Sequence, residues 1–206
     1  MGYSILKYCH ITNGLISVDG NKVVNAGNVE GTSRQFKELY KFLGADYPKF
    51  YKMDMLSKLA FLASEFLIQS YEHEVSEKET AILLTNSHST IDIDLKFAET
   101  LKDENYFPNP SYFVYTLPNV MIGEISIRHN IKGETLFAVS DGFSGDTIEK
   151  CSDTMVFKNC IAGFVEFENH DKYEAFLVFI KRVENGNDDF IGMKLDSIYN
   201  GLKKGD

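Results

Sequence analysis

Two kinds of hydrophobic spacing alternate along the chain. From Met55 to Leu67 the apolar residues recur at helical intervals (Met55 and Leu56, Leu59 and Ala60, Leu62 and Ala63, Phe66 and Leu67). That stripe is wide enough to predict a helix buried on most sides, with Asp54 as its N-cap. Short unbroken apolar runs read instead as buried strands: Ala81 to Leu84, Thr135 to Val139, Cys160 to Phe167 and Tyr173 to Val183. The last two flank the polar turn Glu168 to Asp171 and predict a hairpin. Tyr3 to Cys9 and Leu15 to Val18 predict another, around Thr12-Asn13-Gly14. Further helices are expected over Ser33 to Leu43 with Ser33 as cap, from Ile93 to Leu101, and over Val120 to His129 between an Asn119 cap and Gly133. Two more are expected from Ser144 or Gly145 to about Phe157 and from Phe190 to Leu202. Asn21 to Thr32, Lys49 to Lys52, and the proline-bearing stretch Tyr106 to Asn119 read as loops and linkers. Helices alternating with buried strands, then a closing antiparallel hairpin, describe an α/β protein with a mixed sheet and helices on both faces. No linker or repeat divides the 206 residues, so residues 1–206 are expected to form one domain.

Composition narrows this only a little. Hydrophobic residues make up 44% and charged residues 25%, the proportions of a globular protein with a real core. A net charge of −9 disfavours non-specific binding to nucleic acid or anionic membrane. No apolar run approaches the ~20 residues of a membrane helix. The first twenty residues carry Lys7, Cys9, His10 and Asn13, so no secretory signal is read there. Cys9, Cys151 and Cys160 have neither disulfide-framework nor metal-ligand spacing, and a reducing cytoplasm is the expected setting. No cofactor is expected, since the chain has no Gly-x-Gly-x-x-Gly, no phosphate loop and no paired zinc-type histidines.

The segment with most chemical content is Thr135 to Gly145. An apolar strand runs through a small-residue turn into a helix, the geometry that exposes a nucleophile at its tip and aims helix N–H groups at an oxyanion. The tip here is Ser140, Asp141, Gly142, Phe143 and Ser144, with no cysteine. Cys151 falls two turns into the following helix and reads as packing. Ser144 reads as the helix cap, since no histidine is near it in sequence to act as base. His88, just after a buried strand, reads as a solvated loop residue. Asp92 and Asp94 read as first-turn carboxylates favoured by the helix dipole.

The stretch Asn109 to Gly133 resembles the segment of β-ketoacyl-acyl-carrier-protein synthases that precedes their active-site elbow. Pro110, Phe113, Thr116, Asn119, Gly123, Ile127 and Gly133 are the matching residues. Upstream, Tyr51 to Asp54 with its buried helix and the Ala81 to Thr85 strand are similar to the same family. The elbow aligns with Ser140 to Gly145. The likeness covers roughly residues 50 to 167, the N-terminal half of a synthase, and implies one half of the two-half thiolase-like fold. The family's nucleophilic cysteine falls on Gly142 or Asp141. Its C-terminal histidines and lysine have no counterpart.

What the resemblance implies is therefore a protein that does not condense acyl groups alone, because that chemistry needs a thiolate and oxyanion donors. The expectation is a non-catalytic partner or scaffold in fatty-acid or polyketide-type biosynthesis, as a homodimer or paired with a synthase-like subunit. Thr116, Leu117, Pro118 and Asn119 would lie at the dimer interface. The helix after the elbow, with Ile148, Cys151, Met155 and Val156, would need covering by a partner or by the chain's own Tyr173 to Leu202. Two rivals stay open. One is a residual acyl-thioester decarboxylase or hydrolase using Asp141 or Ser144. The other is a module binding an acyl chain or an acidic acyl carrier protein through Arg128, Lys132, Lys150 and Lys158.

Overall fold

The computed structural model describes residues 2–102, 108–183 and 191–204. Phe190, where the last helix was expected to begin, and Tyr106 lie outside these residues. One seven-stranded sheet runs in the order β3-β2-β1-β7-β6-β4-β5. Its strands are β1 (Gly2–Thr12), β2 (Leu15–Val18), β3 (Asn21–Asn25), β4 (Thr80–Asn86), β5 (Thr135–Val139), β6 (Asn159–Asn169) and β7 (Lys172–Val183). The helices are α1 (Thr32–Leu43), α2 (Met55–Ile68), α3 (Ile91–Glu99), α4 (Pro110–Tyr115), α5 (Asn119–His129), α6 (Gly145–Thr154) and α7 (Ile191–Lys203).

β4 pairs in parallel with both β5 and β6. The hairpin partner β7 runs antiparallel to β6, and β1 runs antiparallel to β7. The sheet is therefore mixed, and period-2 alternation splits its side chains cleanly between two faces. Ile82, Leu84, Ile161, Val165, Leu177 and Phe179 meet α1, α2 and α5 on one face. Ala81, Leu83, Cys160, Ala162, Val178 and Ile180 meet Ile148 of α6 and Ile191 and Leu195 of α7 on the other.

α2 is the central helix of the first layer. Every residue in it except Lys58 is buried, and the Asp54 side chain accepts from the N–H groups of Leu56 and Ser57 as its cap. In the β1–β2 turn Asn13 and Gly14 both take positive φ, 48° and 73°, which closes a two-residue hairpin. α6 and α7 approach so closely that a Cβ on Gly145 would meet the Gly192 carbonyl oxygen at 2.0 Å.

Several expectations are corrected. Asn21–Asn25 is a strand, drawn out of a polar stretch by pairing with β2. The proline loop contains α4, because Pro110 sits at a first helical position, where a missing N–H costs nothing, and Asn109 caps it. Pro48–Lys52 is a 3₁₀ turn. α1 starts one residue earlier than expected, with Gly31 and not Ser33 at its N-cap position. α5 ends at Asn130, which takes the left-handed conformation (φ 52°). Gly133 serves packing instead, since a Cβ there would strike the Thr80 carbonyl oxygen. No helix among the described residues is long and apolar enough to cross a membrane.

Candidate functional site

The three parallel strands end on the same side of the molecule, and a cleft of about 620 Å³ opens there. Ser87 and His88 follow β4, Ser140 to Phe143 follow β5, and Glu166 and Glu168 close β6. The carboxyl ends of parallel strands are where α/β sheets hold ligands, because the loops there diverge to neighbouring helices.

The turn between β5 and α6 lines this cleft. Ser140 is tied at both ends: its N–H donates to the Asn86 carbonyl at 2.8 Å, and its hydroxyl donates to the Gly142 carbonyl at 2.8 Å. Asp141 is exposed at the rim. Gly142 takes a φ of 157° with open space where a Cβ would be. Phe143 turns inward, 5.0 Å from the Phe176 ring and 4.5 Å from the Tyr199 ring. Ser144 caps α6, its oxygen accepting the Thr147 N–H at 3.2 Å. Neither hydroxyl is paired with a histidine. Cys9 and Cys160 are wholly buried in the sheet, and that burial pushes both thiols well above the ordinary range. Cys151 is half-buried on α6.

The polar heart of the cleft lies on the β6–β7 hairpin. Glu166 and Glu174 are register partners, so their carboxylates stand on one face of the sheet. Glu174 is saturated. It accepts from His10 Nε2 at 2.7 Å, the Tyr199 hydroxyl at 2.9 Å and Lys203 Nζ at 2.6 Å. Burial works against its charge, but the hydrogen bonds from His10 and Lys203 prevail and hold the Glu174 carboxyl below the usual glutamate value. Burial and the adjacent Glu174 charge together push the Tyr199 phenol up. Glu166 is buried and accepts the Ser87 N–H at 2.7 Å, with His88 Nδ1 at 3.3 Å from the same oxygen. His88 also stands 3.6 Å from Glu168, which pairs with Lys172. His88 is thus a half-exposed loop residue, as read from the sequence, with its Nδ1 beside Glu166 and Glu168.

Sequence reasoning read the hairpin and passed over its carboxylates. The signal was present: Glu166 and Glu174 each interrupt an apolar strand, and folding the hairpin about its turn sets them opposite one another.

Thr116, Leu117, Pro118 and Asn119 form the junction of α4 and α5. The Thr116 carbonyl accepts from the Thr90 hydroxyl, Leu117 is exposed, Pro118 precedes the helix and Asn119 opens it. The four basic residues each have an acidic neighbour. Arg128 makes a two-pronged contact with Glu65 at 2.8 and 3.0 Å, and Lys132, Lys150 and Lys158 pair with Glu77, Asp146 and Glu79.

No family model and no curated protein matches this sequence. Solved structures do match its shape. A ketosynthase (ApeO) in complex with its chain length factor (ApeC), from Xenorhabdus doucetiae, superposes with a TM-score of 0.59 at 12% identity. The match covers 98% of this chain and 92% of that one, so the two chains are of nearly equal length.

The fold is ketosynthase-like.

A second complex, AntDE:AntF (apo), a type II polyketide-synthase acyl-carrier protein with its ketosynthase bound to the hexaketide, gives a TM-score of 0.54 at 14% identity. It covers 87% of this chain and 62% of that one. In this ketosynthase-like fold the mixed sheet carries helices on both faces.

Proposed function

We propose that this chain is a ketosynthase-like subunit without a condensing nucleophile, which works by pairing with a synthase-like chain in fatty-acid or polyketide-type assembly. The observation that carries the reading is the unfinished side of the sheet. β5 pairs with β4 only, so its outer N–H and C=O groups have no strand beside them among the described residues. Val139 of β5 is 60% exposed, Ile127 of α5 is 64% exposed, and Leu117, Phe113 and Val114 at the α4–α5 junction are exposed as well. A bare strand edge among apolar side chains is a surface to be covered, by hydrogen bonds along the strand and by apolar area around it.

The helix after the elbow is covered in part by the chain itself: α7 packs on α6 and buries Ile148 and Met155, while Val156 stays 75% exposed. α7 thus serves as a cover, and of the two unpaired sheet edges, β3 and β5, we read the β5 edge with its exposed apolar neighbours as the contact. The near-equal length of the matched chain in a ketosynthase–chain length factor complex supports the same reading. The elbow supports it too, with glycine or aspartate at the nucleophile position and both serines engaged. Residual hydrolysis through Ser144 is disfavoured because that hydroxyl caps α6 and has no histidine in hydrogen-bond contact.

The test is affinity capture of the tagged chain from its own cells, followed by native mass of the eluate. A one-to-one complex with a cysteine-bearing synthase subunit is expected. Val139→Asp combined with Ile127→Asp should abolish that complex while leaving the circular dichroism unchanged. A homodimer through the same edge would retain the surface and overturn the synthase partner. A monomer alone would overturn both.

A further inference from the structure

The helices that cover the two faces of the sheet are held in different ways. α2 is buried almost all round, whereas only Ile191, Gly192 and Leu195 of the 13 residues of α7 are buried. Polar contacts carry much of the attachment of α7, and those with α6 are reciprocal. The Gly145 N–H, in the first turn of α6, donates to Asp196 Oδ1 of α7 at 2.8 Å. The Gly192 N–H, in the first turn of α7, donates to Glu149 Oε2 of α6 at 2.9 Å. Each helix supplies the carboxylate that satisfies an orphan donor at the start of the other, where the dipole favours negative charge. The sequence carries the same symmetry: Gly145-x-x-x-Glu149 and Gly192-x-x-x-Asp196 each put a glycine and an acid on one helix face. Neither glycine has room for a side chain, since a Cβ on Gly192 would stand 2.9 Å from the Gly145 backbone and 2.7 Å from the Glu149 carboxylate. At its other end α7 is tied to the sheet by Tyr199 and Lys203 on Glu174.

We propose that α7 is a strap that opens as a unit while the sheet stays folded, with the reciprocal contacts of Gly145 with Asp196 and of Gly192 with Glu149 as its latch. Segments with few buried apolar contacts are the ones that open locally at low cost. A charge-assisted hydrogen bond at each helix start is what keeps such a segment shut. Opening bares the second face of the sheet, where Leu83, Cys160 and Val178 meet Ile148 and Leu195, and removes the Tyr199 and Lys203 wall of the cleft. The proposal does not rest on the pairing function, and either can fail without the other.

The experiment is native-state hydrogen exchange of the full chain, read residue by residue by amide NMR. The amides of α7 are expected to share one level of protection, well below that of β4 and β6. Asp196→Asn and Glu149→Gln should each speed α7 exchange about tenfold, as loss of one charge-assisted hydrogen bond does. Asp146→Asn removes an exposed carboxylate from the first turn of α6, one paired with Lys150, and should change α7 exchange far less. If α7 exchanges only together with β4 and β6, there is no separate strap. Unchanged α7 exchange in both latch variants, or an equal effect of Asp146→Asn, overturns the latch. If neither latch variant folds, the unaltered chain decides. There the Gly145 and Gly192 amides must exchange in step with the rest of α7, and far earlier exchange of either overturns the latch.

Discussion

Glu166 and Glu174 face each other across a strand pair, a placement that costs energy unless each charge is answered. Glu174 is answered three times, and the sign of the consequence can be worked out. Its carboxyl titrates below the ordinary value of 4.5, so its stabilising contribution is complete above that pH and lost as pH falls through the folded value. Urea midpoints of the unaltered protein should therefore drop on acidification below about pH 4.5, and the gap to Glu174→Gln should narrow over the same range. A gap that stays constant down to about pH 3 would refute this. The cysteines give a second residue-scale test. With Cys9 and Cys160 buried, a thiol reagent should label only Cys151 in the native protein, and all three in urea. Gly163 gives a third. Its φ is 154°, and a Cβ there would stand 2.1 Å from the Phe176 carbonyl oxygen. Gly163→Ala should cost about 3 kcal/mol or more in urea unfolding. At this scale the Ser144 cap was legible, because its partner, the Thr147 N–H, lies only three residues on. The carboxylate pair was not, because it exists only once β6 and β7 lie side by side.

At the scale of elements, α7 decides which surfaces remain open. Leu195 is fully buried with Ile191 and Ile148 between α7, α6 and the sheet. Leu195→Asp would bury an unpaired charge and should cost more than about 3 kcal/mol, or leave a species that binds a hydrophobic dye. If it instead leaves the unfolding midpoint in place, α7 is not the cover described above. What sequence showed of the elements follows a physical divide. α2, β4 and the β6–β7 hairpin were legible because burial writes an apolar pattern directly into them. β3 is polar and half-solvated, and its strand character comes from β2, which no local window reveals. α4 was hidden by Pro110, a residue that breaks helices in their interior and begins them at their first turn. The alternation of helices and strands was enough for the mixed sheet with two covered faces. The strand order, with β1 inserted beside β7, was not.

At the scale of the molecule, the open edge and its apolar neighbours predict how an assembly responds to salt. An interface built on Val139, Ile127 and Leu117 should survive 1 M sodium chloride, since screening weakens ion pairs and leaves apolar burial intact. A complex that falls apart there would place the contact on charged groups elsewhere. The sheet order also has a consequence for how the chain comes to be folded at all. β1 begins at Gly2, yet its neighbour β7 spans Lys172–Val183. During synthesis the opening meander of β1, β2 and β3 has one edge with nothing to pair with until nearly the whole chain has left the ribosome. At ~5–20 residues per second that wait lasts roughly ten seconds or more, during which a long strand edge with Cys9 and Ile11 beside it is exposed to every other nascent chain. The protein should therefore depend on chaperones during translation more than its size suggests, and should refold from denaturant slowly and best when dilute.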